Sequence, residues 1–183
     1  MLDADRDHSS GRTDKPLASG DVSVTTGAVV ALGLAATSIV LSLALGPLAA
    51  VAHGIFLASG WVYNLGLKST LASVVPYVVG FGSLPAIVTL ASDAPRLAAP
   101  WSMTAAALLG VAAHFSNVLP DLADDSDTGV RGLPHVLGAR VSAVVIALGL
   151  IGASAAVVFG PGTTPSVLAL IGFAATATIA SVS

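Results

Sequence analysis

Four stretches of this chain, residues 22–67, 69–92, 97–120 and 141–183, contain no Asp, Glu, Lys or Arg. No other feature restricts the fold so sharply. A helix needs about 20 apolar residues to cross the hydrocarbon core of a bilayer. Residues 69–92 and 97–120 therefore hold one span each, and the two longer runs hold two each. The longer runs break at Gly46-Pro47 and at Gly160-Pro161-Gly162, where a helical hairpin turns. Six spans are predicted, at 24–45, 48–67, 70–91, 99–119, 139–159 and 164–182. The runs lack the period-two alternation of a membrane barrel. Charged residues make up 9% of the chain, against about 25% in a soluble domain, too few to solvate a water-facing surface. The fold class is all-α, a polytopic membrane helical bundle.

The placement of the few charges orients the bundle. Six spans from a polar N-terminus put residues 1–21, Lys68, 120–138 and the C-terminus on one side. Arg6, Arg12, Lys15, Lys68, Arg131 and Arg140 fall there, and only Arg96 falls on the other. Cytoplasmic loops carry the excess of Lys and Arg, so the first side is expected to face the cytoplasm, in the cell (inner) membrane. No apolar leader precedes the spans, so no cleaved signal peptide is read. There is no cysteine, which excludes disulfides and thiolate metal sites.

Acidic residues follow the same asymmetry. All ten are aspartates, and only Asp93 lies on the far side. The others form two clusters: Asp3, Asp5, Asp7 and Asp14, with Asp21 at the mouth of the first span, then Asp121, Asp124, Asp125 and Asp127. Each cluster contains a pair four residues apart, Asp3/Asp7 and Asp121/Asp125, a spacing that puts two carboxylates on one helix face. Asn117 adds an amide oxygen one turn before Asp121, although Pro120 between them kinks or starts a helix.

Mg²⁺ takes oxygen ligands in octahedral geometry and is usually held by one or two carboxylates plus substrate phosphates. Two such faces across a bundle suit Mg²⁺ ions around a diphosphate, with Asp3, Asp7, Asp121 and Asp125 as the candidate ligands. Each cluster is followed by cations, Arg12 and Lys15 in "GRTDKP" and Arg131 in "TGVRG". These bind phosphate oxygens through charge-assisted hydrogen bonds. A single DxxxD arises by chance, and loop aspartates are usually just solvated. Two clusters on one membrane face of so uncharged a chain weigh towards a metal–diphosphate clamp.

Those residues resemble the UbiA-type intramembrane prenyltransferase family, which has a first motif NDxxDxxxD and a second motif DxxxD, often preceded by Asn. "DADRD" running into "GRTDKPLASG" is similar to the tail of the first motif and the segment after it. "NVLPDLADDSDTGVRGLPHVLG" is similar to the second, and "WVYNLGLK" to the tyrosine-to-lysine stretch between them. The likeness runs through the chain in order. It implies one prenyltransferase domain over 1–183, with 1–21 a cytoplasmic motif segment and 22–183 the transmembrane bundle. It also implies about nine helices around a central cavity and Mg²⁺ as cofactor. A prenyl diphosphate would lose pyrophosphate there and its carbocation would alkylate an aromatic or other lipid-soluble acceptor. By position Asp3, Asp7, Asp121 and Asp125 would be catalytic and hold metal. Arg12, Lys15, Tyr63, Lys68, Asn117 and Arg131 would contact the diphosphate. Quinone-precursor rings, macrocycles and glycerol phosphates are all acceptors in the family, so quinone biosynthesis is one expected setting. The Asn and first Asp of the first motif would precede Met1. Two helices before that motif and one after the last span are also not found, so six helices of nine are expected and the chain reads as truncated.

Other readings stay open. Lys68 is equally explained as a juxtamembrane anchor, and Tyr63, in "WVY", as an interfacial aromatic. Asn64 is a weaker candidate, requiring a partner helix or cavity. His53 and His114 are expected to hydrogen-bond across helices rather than bind metal, and His135 to sit in a loop or cap. Pro76 and Pro85 should kink the 70–91 span. A transporter component would place charges within its spans along a midplane path, and these spans have none. A noncatalytic remnant would bind no diphosphate. Expected partners are a prenyl diphosphate, a hydrophobic acceptor and the lipid bilayer, with no nucleic acid.

Overall fold

A computed structural model describes residues 16–17, 19–122 and 131–182. Six α-helices follow one another: α1 Val24–Leu43, α2 Pro47–Leu65, α3 Val75–Leu90, α4 Pro100–Val118, α5 Leu133–Phe159 and α6 Val167–Val182. There are no strands among the described residues. Local chemistry sets the starts. The Ser23 hydroxyl caps α1 by accepting the Thr26 N–H at 3.0 Å. Pro47, Pro76, Pro100 and Pro134 stand in the first turns of α2 to α5, where a missing N–H costs nothing.

Each helix packs mainly on its neighbours in sequence, α1 on α2 through to α5 on α6. Short connections join successive helices as antiparallel neighbours. The start of α1, the end of α2, the start of α3, the end of α4 and the start of α5 therefore share one end of the bundle.

The interior is built from small side chains. Ala49, Ala50, Ala52, Ala86, Ala105, Ala112 and Ala153 are buried, while Val29, Leu34, Val40, Leu41, Val88, Leu148 and Leu168 point outward. A water-soluble protein inverts that order. In lipid no hydrophobic force drives helix against helix, so small residues that let backbones approach do the packing and bulky ones meet acyl chains. Gly110 marks the tightest approach of α3 to α4: a Cβ there would lie 2.5 Å from the Tyr77 carbonyl oxygen. Most buried hydroxyls are satisfied inside the bundle, as a dry medium requires, Ser142 being the exception among the described residues. Ser59 donates to the Ile55 carbonyl at 2.8 Å, and Ser42 bonds both the Ser38 carbonyl and His53 of α2.

Three helices, Val24–Leu43, Pro47–Leu65 and Leu133–Phe159, are long and apolar enough to cross a membrane. Val75–Leu90 and Val167–Ser181 are apolar but shorter. At 1.5 Å per residue the 16 residues of α3 reach about 24 Å, less than the hydrocarbon thickness. The expected 70–91 span is short because Lys68 belongs to a 3₁₀ turn, Leu67–Ser69, and residues 71–74 continue as turns before α3 begins. Pro76 accordingly starts α3 instead of kinking it, while Pro85 lies inside the helix. The fifth span differs too. A helix was expected from 139, yet helical turns begin at Leu133 and are interrupted at Gly138, whose φ of 77° is left-handed. The segment from Leu133 to Leu137 forms a separate first turn, and the long straight part begins where the span was expected.

Candidate active site

The candidate residues fall into two groups. Asp3, Asp7, Arg12, Lys15 and Asp125 lie outside the described residues. Tyr63, Lys68, Asn117, the backbone of Asp121 and Arg131 are described, and all five stand at the shared end of the bundle. Lys68 follows α2, Asn117 and Asp121 close α4, and Arg131 precedes α5.

Two close contacts bring these segments together. Gly132 packs so tightly on the α2–α3 connection that a Cβ would sit 2.6 Å from the Lys68 carbonyl oxygen. The backbones carrying Lys68 and Arg131 are thus neighbours, although 63 positions separate them in the chain (131 − 68). Lys68 is half-buried there and Arg131 is exposed. Across the same end, the Asn117 side-chain amide donates to the Tyr77 hydroxyl at 3.1 Å, joining α4 to α3.

Asn117 and Asp121 do not share a continuous α-helical face. Pro120 has no N–H to continue the α ladder, so α4 ends at Val118 and the chain tightens into a 3₁₀ turn at Leu119–Asp121. The tighter winding rotates Asp121 away from the strict four-residue register.

Beneath these groups lies an aromatic cluster that the sequence only half disclosed. Tyr63 meets Tyr77 edge to face, with ring centroids 5.2 Å apart, and His114 at 5.8 Å. Tyr77 lies 5.0 Å from His114 and stacks near Phe81 at 6.0 Å. The cluster borders a cavity of about 710 Å³ between α1, α2 and α3, lined by Ala31, Phe56, Trp61, Tyr63, Tyr77 and Phe81 among others. That volume lies within the usual range of small-molecule sites, about 300–1,000 Å³. Asn64 also lines it, matching the expectation of a cavity for its amide, and that amide donates one N–H to the Gly60 carbonyl of its own helix at 2.9 Å.

His53 hydrogen-bonds across helices as expected, whereas the partner of His114 lies in the connection between α2 and α3. His53 bonds Ser42 of α1, and His114 bonds Ser73 at 3.0 Å. His135 stands in the first turn of α5. Tyr77 and Ser73 were missed. Tyr77 is one of only two tyrosines, and a tyrosine within an uncharged run signals a hydroxyl needing a partner, so it could have been found. Ser73 is one of many serines in apolar runs, and nothing local distinguishes it.

No group of three or more His, Cys, Asp or Glu side chains converges among the described residues. The donor set itself is all aspartate with no cysteine, which fits a hard oxygen-loving cation such as Mg²⁺.

A helical bundle with small residues inside and bulky apolar ones outside defines an integral membrane protein. The description "UbiA prenyltransferase family" matches residues 1–183, and the chain belongs to that family. No curated protein and no solved structure was found to match it.

Proposed function

We propose that the protein transfers an isoprenyl group, with Mg²⁺, from a prenyl diphosphate to an aromatic or other lipid-soluble acceptor within the bilayer. Family membership supports prenyl transfer. The observation that supports the assignment to this end of the bundle is the close approach of Gly132 to the Lys68 carbonyl, which makes the backbones of Lys68 and Arg131 neighbours.

The chemistry assigns the parts. Bound Mg²⁺ supplies positive charge that stabilises the leaving diphosphate. Asp3, Asp7, Asp121 and Asp125 would hold it. Arg12, Lys15, Lys68 and Arg131 would bind the phosphate oxygens, with Asn117 and Tyr63 at the diphosphate's inner edge. The allylic C–O bond breaks, pyrophosphate leaves with the electron pair, and the acceptor attacks the allylic cation and then gives up a proton. The Tyr63 and Tyr77 rings offer negative faces to that cation. The apolar walls of the cavity keep water from capturing it. Six cations on this side against one on the other favour a cytoplasmic orientation in the cell membrane. The domain on this reading is 1–183, its first 21 residues forming the first-motif segment.

The test is a transfer assay on the full chain in nanodiscs, with radiolabelled geranylgeranyl diphosphate and a mixture of phenolic and other lipid acceptors. Label should enter lipid products with Mg²⁺ and not with EDTA. Release of label from the diphosphate at equal rates in both would contradict the proposal.

A further inference from the structure

Ser73 and His114 are each wholly buried, and neither is among the groups assigned to the diphosphate. The Ser73 hydroxyl oxygen accepts the Leu133 N–H at 2.9 Å, and the same hydroxyl meets His114 Nε2 at 3.0 Å. The hydroxyl can meet both groups at once, donating to Nε2 or accepting from it as the ring tautomer decides, while His114 Nδ1 has no hydrogen-bond partner among the described residues. One side chain thereby joins three pieces of chain: the α2–α3 connection that holds it, α4 through His114, and the start of α5 through Leu133.

The location of those pieces gives the bond its meaning. His114 lies one turn before Val118, where α4 ends, and Leu133 is the first residue of α5. Between them run the polar residues of the second motif. Ser73 therefore grips the chain just before and just after that motif. Gly132 lies against the same spot: a Cβ there would sit 3.0 Å from the Ser73 hydroxyl oxygen as well as 2.6 Å from the Lys68 carbonyl. Pro134, also wholly buried, fills the next position. In a dry helix bundle a hydroxyl placed so is costly to disturb, because each group it satisfies would be left buried without a partner.

We propose that Ser73 is a positioning residue whose hydroxyl clamps the end of α4 to the start of α5, fixing the backbones of Lys68 and Arg131 side by side. Its catalytic meaning rests on the prenyltransferase reading above, whereas the clamp itself does not. A buried hydroxyl that orients neighbours of a metal–phosphate site acts like an outer partner of metal ligands, whose loss typically weakens binding about 10-fold to 100-fold.

The chain has no cysteine, so spin labels at Leu71→Cys and Val136→Cys, both exposed positions, report one distance cleanly. In nanodiscs the parent should give a single narrow distance. Ser73→Ala should broaden and lengthen it, and His114→Gln, which keeps Ser73 and offers its hydroxyl an amide, should retain most of the narrow population. Gly132→Ala retains the hydroxyl but drives a methyl group into the Lys68 carbonyl, and should lengthen the same distance. This second variant decides the matter should Ser73→Ala not fold. An unchanged distance in whichever of these two variants folds would overturn the clamp. Calorimetric binding of Mg²⁺-pyrophosphate is the second arm, with affinity expected to fall about 10-fold in Ser73→Ala and to stay near the parent's in His114→Gln, which keeps Ser73. Unchanged affinity in a chain whose distance has lengthened would overturn the positioning role. A parent chain that binds no Mg²⁺-pyrophosphate would instead sink the prenyltransferase reading, with the distance still deciding the clamp.

Discussion

Asp121→Ala is expected to lower kcat/KM for prenyl transfer by about 100-fold or more, the scale on which loss of one charge-stabilising group acts in a preorganised site. The diphosphate acquires negative charge as the C–O bond breaks. A carboxylate that anchors Mg²⁺ there stabilises the transition state more than the bound substrate, so kcat should fall along with apparent Mg²⁺ affinity. Asp125→Ala should behave alike, since the two share one cluster. Asp93→Ala supplies the contrast. It removes a carboxylate from the connection between α3 and α4 at the opposite end of the bundle, and should leave transfer within about twofold of the parent, as surface substitutions away from special features usually do. Activity of Asp121→Ala equal to that of Asp93→Ala would remove the second motif from the chemistry.

Gly110→Ala should force apart the two helices that cross most closely at the site end, α3 and α4. Its Cβ would fall 2.5 Å from the Tyr77 carbonyl oxygen and 2.9 Å from the Phe81 Cβ. Neither neighbour is the far end of a flexible side chain, so α3 and α4 must separate. Overpacking of this kind costs about 1–3 kcal/mol. It should also weaken the Asn117–Tyr77 hydrogen bond, because Tyr77 is carried by the very stretch of backbone that is displaced. Thermal unfolding in detergent, followed by helical circular dichroism, should show a lowered midpoint. Gly172→Ala, in α6 with nothing within 4 Å of its Cβ, should leave the midpoint in place. Equal midpoints for the two variants would refute the close α3–α4 crossing.

What was legible beforehand follows from range along the chain. The uncharged runs and their Gly-Pro breaks are local signals, and the helices sit where those signals put them. The errors came from groups whose role depends on distant partners. Thr70 to Val74 looked like the start of a span because the residues are uncharged, but Ser73 is committed to His114 and Leu133 and holds that stretch in turns. A proline within an apolar run looked like a kink at position 76. It became a helix start once the turns before it displaced the first residue of α3. Gly138 carried no local sign that its left-handed φ would split α5. The site showed the same division. The spacing of acids and cations along the chain marked one end of the bundle, but spacing carries no information on what lies beneath. The ring cluster of Tyr63, Tyr77 and His114 draws on three helices, and only packing brings them together.

The packing at this end fits the proposed pairing of a charged ligand with a lipid-like one. Asn117 and Gly132 stand at the shared end of the bundle, and Tyr77, which accepts from Asn117, also lines the cavity between α1, α2 and α3. A diphosphate and its isoprenyl tail have the same division of polarity. Direct binding tests that match most simply: titrate a fluorescent prenyl diphosphate into the full chain in nanodiscs, with Mg²⁺ and then with EDTA. The account predicts saturable binding that requires Mg²⁺ and is lost in Asp121→Ala. Binding of equal strength in EDTA, or undiminished binding by Asp121→Ala, would contradict it.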